Sequence, residues 1–414
     1  MNINTQRKID RLFGKPICRF LSLISSGGKS ALPAGNRAKI LVILLSEMGS
    51  LVLARPMFDR LREKYPECRL YALCFERNRE FLEILNLVPS ENILSVRGES
   101  IPGLAIDTLR LVSRLRKDKI DVVLDCELFS RISSIYAFLS GAGIRVGFHP
   151  HTQEGLYRGS FINRPVLYNP YLHISEQFIN LAEAIDSNGL PRVKRLVGGT
   201  DIQVPQIAVS DSEKKAFMRR FQLDFPQVSG KKLVLVYPCG GLLPIRAWPI
   251  ENFRLVAQDL LGRGFAVGVI GMSDDRSLAE DITAHAQKEN CVDLTGYTET
   301  VRELIILFHL SSLLITNDGG PGHFASLTPM PAIVLYGPET PVLYGTLGKK
   351  SVHCYASLSC SPCLTAYNHR NSPCDGDNLC LKSIEPNEVL EKAYVLLGQR
   401  HNSPEGRAGS DDNH

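Results

Sequence analysis

The stretch Leu313-Leu314-Ile315-Thr316-Asn317-Asp318-Gly319-Gly320-Pro321-Gly322-His323-Phe324-Ala325 carries the residue types of a phosphate site. An apolar strand over Leu313–Ile315 runs into a turn of two glycines and a proline, and a helix is expected from Gly322. Such a turn aims backbone N–H groups and the positive end of a helix at one point, which suits a phosphate. Asp318 beside it can accept hydrogen bonds from sugar hydroxyls. The competing reading is an ordinary strand–turn–helix connection with Asp318 as the N-cap. His323 is placed either to face a sugar or phosphate or to cap locally. Cys239-Gly240-Gly241 also follows an apolar run, and either presents N–H groups to phosphate or makes a simple turn. Met272 and Asp274 end another predicted strand, a location that commonly meets the base or ribose of a nucleotide. There Asp274 either binds a ribose hydroxyl or caps the next helix.

A second set of reactive side chains is the thiol group Cys360-x2-Cys363-x10-Cys374-x5-Cys380. A Cys-x2-Cys pair with two further cysteines matches a structural zinc site in ligand type, although the second pair is wider than the usual knuckle. Reduced or reversibly paired structural thiols, and a redox role, stay open beside it. Asp375-Gly376-Asp377 in the same segment reads as a turn.

These residues need a scaffold, and the chain is long enough for two. Its 414 residues exceed one average domain, and 44% hydrophobic with 22% charged residues is ordinary for a globular protein. The formal charge is +4, but residues 1–37 hold Arg7, Lys8, Arg11, Lys15, Arg19, Lys29 and Arg37 against Asp10 alone, leaving the rest slightly acidic. That distribution argues against nucleic acid as a partner. Ile9, Leu12, Phe13, Ile17, Phe20, Leu21 and Ile24 fall on one helical stripe, with Pro16 expected to kink or split it. A basic amphipathic segment over residues 7–24 points to an anionic membrane surface, the alternative being a helix docked on the protein's own body. The short apolar stretch Ile17–Ile24 carries Arg19 and is not read as a signal peptide, so reducing cytoplasm is the expected compartment.

Alternating strand and helix patterns fill the rest. Residues 38–187 read as one parallel α/β domain, 188–210 as a linker, and 211–397 as a second α/β domain that includes the cysteine segment 354–380. Residues 1–37 form the basic segment with its linker, and 398–414 a polar tail expected to be disordered. The fold class is α/β, with two doubly wound Rossmann-like domains facing a cleft.

Four stretches, in this order, resemble the bacterial glycosyltransferase family 9, the heptosyltransferases. They are Ile40–Pro56 (ILVILLSEMGSLVLARP), Tyr237–Phe253 (YPCGGLLPIRAWPIENF), Ile315–Ala325 (ITNDGGPGHFA) and Leu335–Pro338 (LYGP) with the Cys-Ser-Pro-Cys region after it. The resemblance spans about residues 38–395. It implies a GT-B fold and an inverting, metal-independent transfer of a heptose-like sugar. The donor would be ADP-heptose and the acceptor lipopolysaccharide core or a related lipid-linked saccharide, at the inner face of the inner membrane. No cofactor is required by that chemistry, and a structural zinc stays possible. Arg246, before Trp248-Pro249, stands where the family carries a basic residue against the donor diphosphate. With Cys239, Gly240, Gly241, Met272, Asp274, Asp318, Gly319, Gly320, Pro321, Gly322 and His323 it makes the expected donor site. The family usually carries Asp after the first glycine as general base. Here that position is Ser50, a very poor base, and Glu47 is the only carboxylate of the loop. Glu47 is therefore the candidate base, with Ser50 touching the acceptor. Against this stand a solvated or capping Glu47, and a catalytically altered relative that only binds nucleotide-sugar or glycan.

Overall fold

The computed structural model describes residues 7–25, 32, 37–45, 47–98, 100–149, 157–187, 189, 191–197, 202 and 204–399. Its centre is two six-stranded sheets, in which every neighbouring pair of strands is parallel. The first comprises β1 (Lys39–Ile43), β2 (Arg69–Phe75), β3 (Ile93–Val96), β4 (Val122–Asp125), β5 (Ile144–Phe148) and β6 (Arg164–Val166), in the order β3-β2-β1-β4-β5-β6. The second comprises β7 (Leu233–Tyr237), β8 (Ala266–Val269), β9 (Cys291–Asp293), β10 (Leu313–Asn317), β11 (Ala332–Tyr336) and β12 (Ser351–Tyr355), in the order β12-β11-β10-β7-β8-β9. Both orders reverse direction once, between β1 and β4 and between β7 and β10. These reversal points open crevices outside the carboxyl ends of the strands. The short edge strands β6 and β12 were not expected from the sequence, where Arg164-Pro165-Val166 gives too little pattern.

Central strands are apolar on both faces because helices cover both. Ile40 through Ile43 are all buried, as are all five residues of β10 and of β11. Trp248, 2% exposed, packs edge-on to Phe253 and donates its indole N–H to the carbonyl of Ile384, 3.0 Å away. It is a packing residue. The two units touch directly: the Phe81 and Phe324 rings lie 4.6 Å apart, a contact worth about 1 kcal/mol beyond area burial.

The basic N-terminal segment is one continuous helix docked on the first unit. A π-helical stretch, Asp10–Gly14, passes into the α-helix Lys15–Ile24. Pro16 sits in the first turn of the latter, and a wider hydrogen-bond register just before it accommodates the missing N–H. Cys18 and Leu21 enter the core beside Leu41 and Ile43. Asp10 accepts from the backbone N–H and from Nη1 of Arg131, each at 2.6 Å. The opposite side leaves Leu12, Phe13, Phe20, Leu23 and Ile24 more than half exposed. No helix among the described residues is long and apolar enough to cross a membrane. Most of the expected linker over Ser25–Gly35 and residues 400–414 of the expected tail lie outside the described residues.

Candidate active site

The helix Met48–Lys64 starts directly after Glu47, which is its N-cap residue by backbone but makes no side-chain cap bond, and Ser50 lies inside the helix. The Ser50 hydroxyl donates to Glu47 Oε2 at 3.0 Å. Glu47 Oε1 accepts from Nη1 of Arg370, which reaches in from the cysteine-bearing segment. Burial opposes the charge on Glu47, but Arg370, Arg246 and the bond from Ser50 together hold its carboxyl below the usual range. Glu47 is ionised at neutral pH.

Across the cleft, the loops after β7, β10 and β11 converge. Asn317, wholly buried, ties two of them: Oδ1 accepts from Trp248 N at 3.0 Å, and Nδ2 donates to the Pro238 carbonyl at 2.9 Å. Gly240 is required because a Cβ would lie 2.7 Å from the Leu243 carbonyl oxygen and 2.9 Å from Pro244 Cα. Gly241 has φ of +60°, a conformation that favours glycine. The turn at Asp318 feeds the six-residue helix Gly320–Ala325, which starts two residues before the expected Gly322. Arg246 Nη1 stands 3.5 Å from Asp318 Oδ2 and 3.9 Å from Glu339 Oε2.

Together these groups line one cleft of about 360 Å³. Glu47 and Ser50 of the first unit face Gly240, Gly241, Arg246, Met272, Asp318, Gly319, Gly320, Pro321 and His323 of the second. The imidazole of His323 is wedged against Gly49, whose added Cβ would fall 2.6 Å from His323 Cδ2. Burial, then the neighbouring His173, pushes the His323 pKa down to about 3, so the ring is neutral. Asp318 Oδ2, Glu339 Oε1, His323 Nδ1 and Arg246 Nε are buried without hydrogen-bond partners. A bound polar ligand satisfies such groups.

Three residues of the expected donor set do not line this cleft. Asp274 is exposed in the turn Ser273–Asp275, where Asp275 rather than Asp274 accepts from the Met272 N–H at 2.8 Å. Cys239 is buried, with burial pushing its thiol pKa upward, and it contributes its carbonyl to Asn317. Gly322 faces the sheet, where a Cβ would crowd Val334 and Thr346 at 3.2 and 3.3 Å. It is a packing glycine.

The zinc reading finds no support in the geometry. All four clustered thiols are free, with Cys360 and Cys374 exposed and Cys380 buried. Among the described residues no group of three or more His, Cys, Asp or Glu is placed to hold a metal ion. The segment is tied to the loop after β11. The N–H groups of Cys363 and Leu364 both bond the Pro338 carbonyl, at 2.9 and 3.0 Å, and this carries Arg370 into the cleft.

Sequence reasoning missed Arg370 and Glu339. Arg370 Nε lies 2.9 Å from Glu339 Oε1, and its guanidinium stacks 3.9 Å from the centre of the Phe129 ring. Glu339 is 2% exposed. Burial, with Asp318 and Glu47 nearby, raises its carboxyl to about 7 against the pull of Arg370 and Arg246. The only signal was position: Glu339 directly follows the strand-end motif Leu335–Pro338.

Residues 108–372 match the model of glycosyltransferase family 9 (heptosyltransferase), more than half of the chain. The chain is 24% identical over 366 residues to lipopolysaccharide heptosyltransferase 2 of Salmonella typhimurium, covering 87% of this chain and 99% of that protein. Its Escherichia coli counterpart matches at 24% over 373 residues with the same coverage. Among solved structures, Escherichia coli ADP-heptose lipopolysaccharide heptosyltransferase II superposes with a TM-score of 0.66 at 22% identity, covering 87% of this chain and 98% of that one. An Escherichia coli heptosyltransferase solved with ADP gives 0.60 at 16%, with coverage of 86% and 99%. Two Rossmann-like units around one cleft are the fold these structures share with this chain. The chain is a glycosyltransferase and belongs to family 9, the heptosyltransferases.

Proposed function

We propose that this enzyme moves a heptose from ADP-heptose to a saccharide of the lipopolysaccharide core or a related lipid-linked acceptor, with inversion at the anomeric carbon. The observation that carries this reading is the cleft itself. It sets two glycine turns and Arg246 on one wall and an ionised carboxylate, Glu47, on the other. The names of the related proteins supply the sugar, the nucleotide and the class of acceptor.

In this reading the unit of residues 211–397 holds the donor and that of residues 38–187 the acceptor. The N–H groups of the turns at Gly240–Gly241 and Gly319–Gly320 take the diphosphate, and Arg246 turns from Asp318 to offset the charge that grows on it. Asp318 and His323 meet the sugar, and Met272 lies along the nucleotide. Glu47 accepts the proton of the attacking hydroxyl, and Ser50 fixes the rotamer of Glu47 and touches the acceptor. The exposed side chains Leu12, Phe13, Phe20, Leu23 and Ile24, flanked by Lys8, Arg11, Lys15 and Arg19, dock on an anionic membrane surface, so the enzyme works peripherally at the cytoplasmic face of the inner membrane.

The test is incubation of the purified protein with ADP-heptose and heptose-deficient core acceptors, followed by mass spectrometry of the acceptor and detection of ADP. A mass increment of one heptose with release of ADP is expected. Absence of transfer to every core acceptor, alongside retained ADP-heptose binding, refutes it.

A further inference from the structure

Two carboxylates grip one guanidinium from opposite walls of the cleft. Glu47, after β1, meets Arg370 Nη1, and Glu339, after β11, stands 2.9 Å from Arg370 Nε. Their surroundings differ. Glu47 is partly exposed and receives a second hydrogen bond from Ser50. Glu339 is almost fully buried, its Oε1 accepts no hydrogen bond, and it lies on the Arg246 side. When neighbouring environments drive two carboxyl groups apart in this way, they divide the roles of acid and base.

We propose that Glu339 is the catalytic acid of the transfer, entering the reaction as a neutral carboxylic acid that protonates the departing diphosphate. The proposal rests on the donor reading above and adds a residue to it. The acceptor O–H bond breaks, and its proton goes to Glu47 as the oxygen bonds the anomeric carbon. The bond from that carbon to the diphosphate oxygen breaks, and its electron pair stays on the oxygen. The Glu339 proton passes to that oxygen, so ADP leaves protonated. Glu47 then returns its proton to solvent and Glu339 recovers one from solvent.

Placement supports this assignment. Arg246 Nη1 is 3.9 Å from Glu339 Oε2, so an anion held by Arg246 lies beside Glu339. The backbone around Glu339 is fixed on both sides: Pro338 accepts two N–H bonds from the cysteine-bearing segment, and the Thr340 hydroxyl caps the helix Pro341–Tyr344 at Val342 N. The charged groups facing Glu339 are Arg370, Arg246, Asp318 and Glu47. Of the phenols beside it, Tyr336 and Tyr344 have pKa values raised by burial and stay neutral. An arriving diphosphate draws Arg246 away from the acidic groups and adds negative charge, both of which favour the neutral form of Glu339.

The test pairs a pH profile with a binding measurement. In the wild type, kcat/KM should fall as pH rises through about 7, where Glu339 loses its proton. Glu339→Gln should reduce turnover about tenfold or more at the acid end and abolish that fall, with ADP-heptose affinity within about threefold. Glu47→Gln should also slow turnover but keep the fall at high pH. A Glu339→Gln enzyme that turns over normally, or that keeps the alkaline fall, overturns the assignment. Calorimetry of ADP-heptose without acceptor, in buffers of different ionisation heat, gives an arm that needs no turnover. Its esterified diphosphate does not titrate near neutrality. The wild type should take up protons on binding at slightly alkaline pH and Glu339→Gln should take up none. Binding with no proton uptake by the wild type overturns the acid alone, whereas no binding at all removes the donor reading with it.

Discussion

Replacing Arg370 by Met tests the charge arrangement of the cleft most directly. Arg370 is 7% exposed and meets Glu47, Glu339 and the Phe129 ring. Removing one member of a buried ion pair costs about 3–5 kcal/mol when the other must stay charged. Glu339 does not have to. Its carboxyl sits near 7 in the wild type, and loss of the adjacent cation raises it further. The folded pKa is therefore above the unfolded value in both proteins, and each loses stability as pH rises from the unfolded pKa towards its own folded pKa. The wild-type loss ends near 7, while the variant continues to lose about 1.4 kcal/mol per pH unit above it. The gap should be about 2 kcal/mol near pH 6, from Glu47 and the lost stacking on Phe129, and about 4 kcal/mol near pH 8.5. Urea unfolding followed by Trp248 fluorescence reads this well, because the only tryptophan lies in the core of the unit that holds Glu339. Arg370→Met combined with Glu339→Gln should remove the widening of the gap. A gap that stays constant across this pH range would falsify the charge assignment.

Gly49→Ala tests closure of the two units: a Cβ 2.6 Å from His323 Cδ2 must push the walls of the cleft apart. Turnover should fall about 10²-fold with little change in ADP affinity, and normal steady-state rates would count against the closed geometry as the active one. Gly320→Val tests backbone approach to phosphate, since the nearest atom to an added Cβ is the Phe324 ring at 3.4 Å and the fold tolerates it. ADP affinity should weaken at least tenfold, about 1.4 kcal/mol, and an unchanged dissociation constant in calorimetry argues against the turn as the diphosphate site. Phe13→Glu with Phe20→Glu should abolish binding to anionic vesicles while leaving the unfolding midpoint in place, because both rings are about 60% exposed. Deleting the helix is the poorer experiment, since Cys18 and Leu21 belong to the core of the first unit. Equal vesicle sedimentation by wild type and variant removes the membrane assignment.

What the sequence made legible follows from the range of each interaction. Strand and helix alternation is local, so the doubly wound units could be read from apolar runs such as Leu313–Ile315 and the glycines after them. The edge strands β6 and β12 escaped because pairing with β5 and β11, not their own pattern, makes them strands. Glu47 and Ser50 were legible as a pair through their spacing, yet the register of their helix was not. Met48-Gly49-Ser50 reads as a turn, and Gly49 becomes helical where His323, 274 positions later, closes over it. The same limit explains the cysteine segment. Four thiols at metal-like spacing raise zinc as one reading, whereas Arg370 of the same segment, which lines the cleft, carries no local signature. Its place in the cleft depends on distant partners: two backbone bonds tie its segment to Pro338, and its guanidinium donates to Glu47, 323 residues away in the chain. Glu339 shows the converse. A carboxyl group beside two arginines looks like an ordinary ion-pair partner until burial is counted. Only the competition between that burial, Asp318 and the two guanidiniums decides whether it holds a proton at neutral pH.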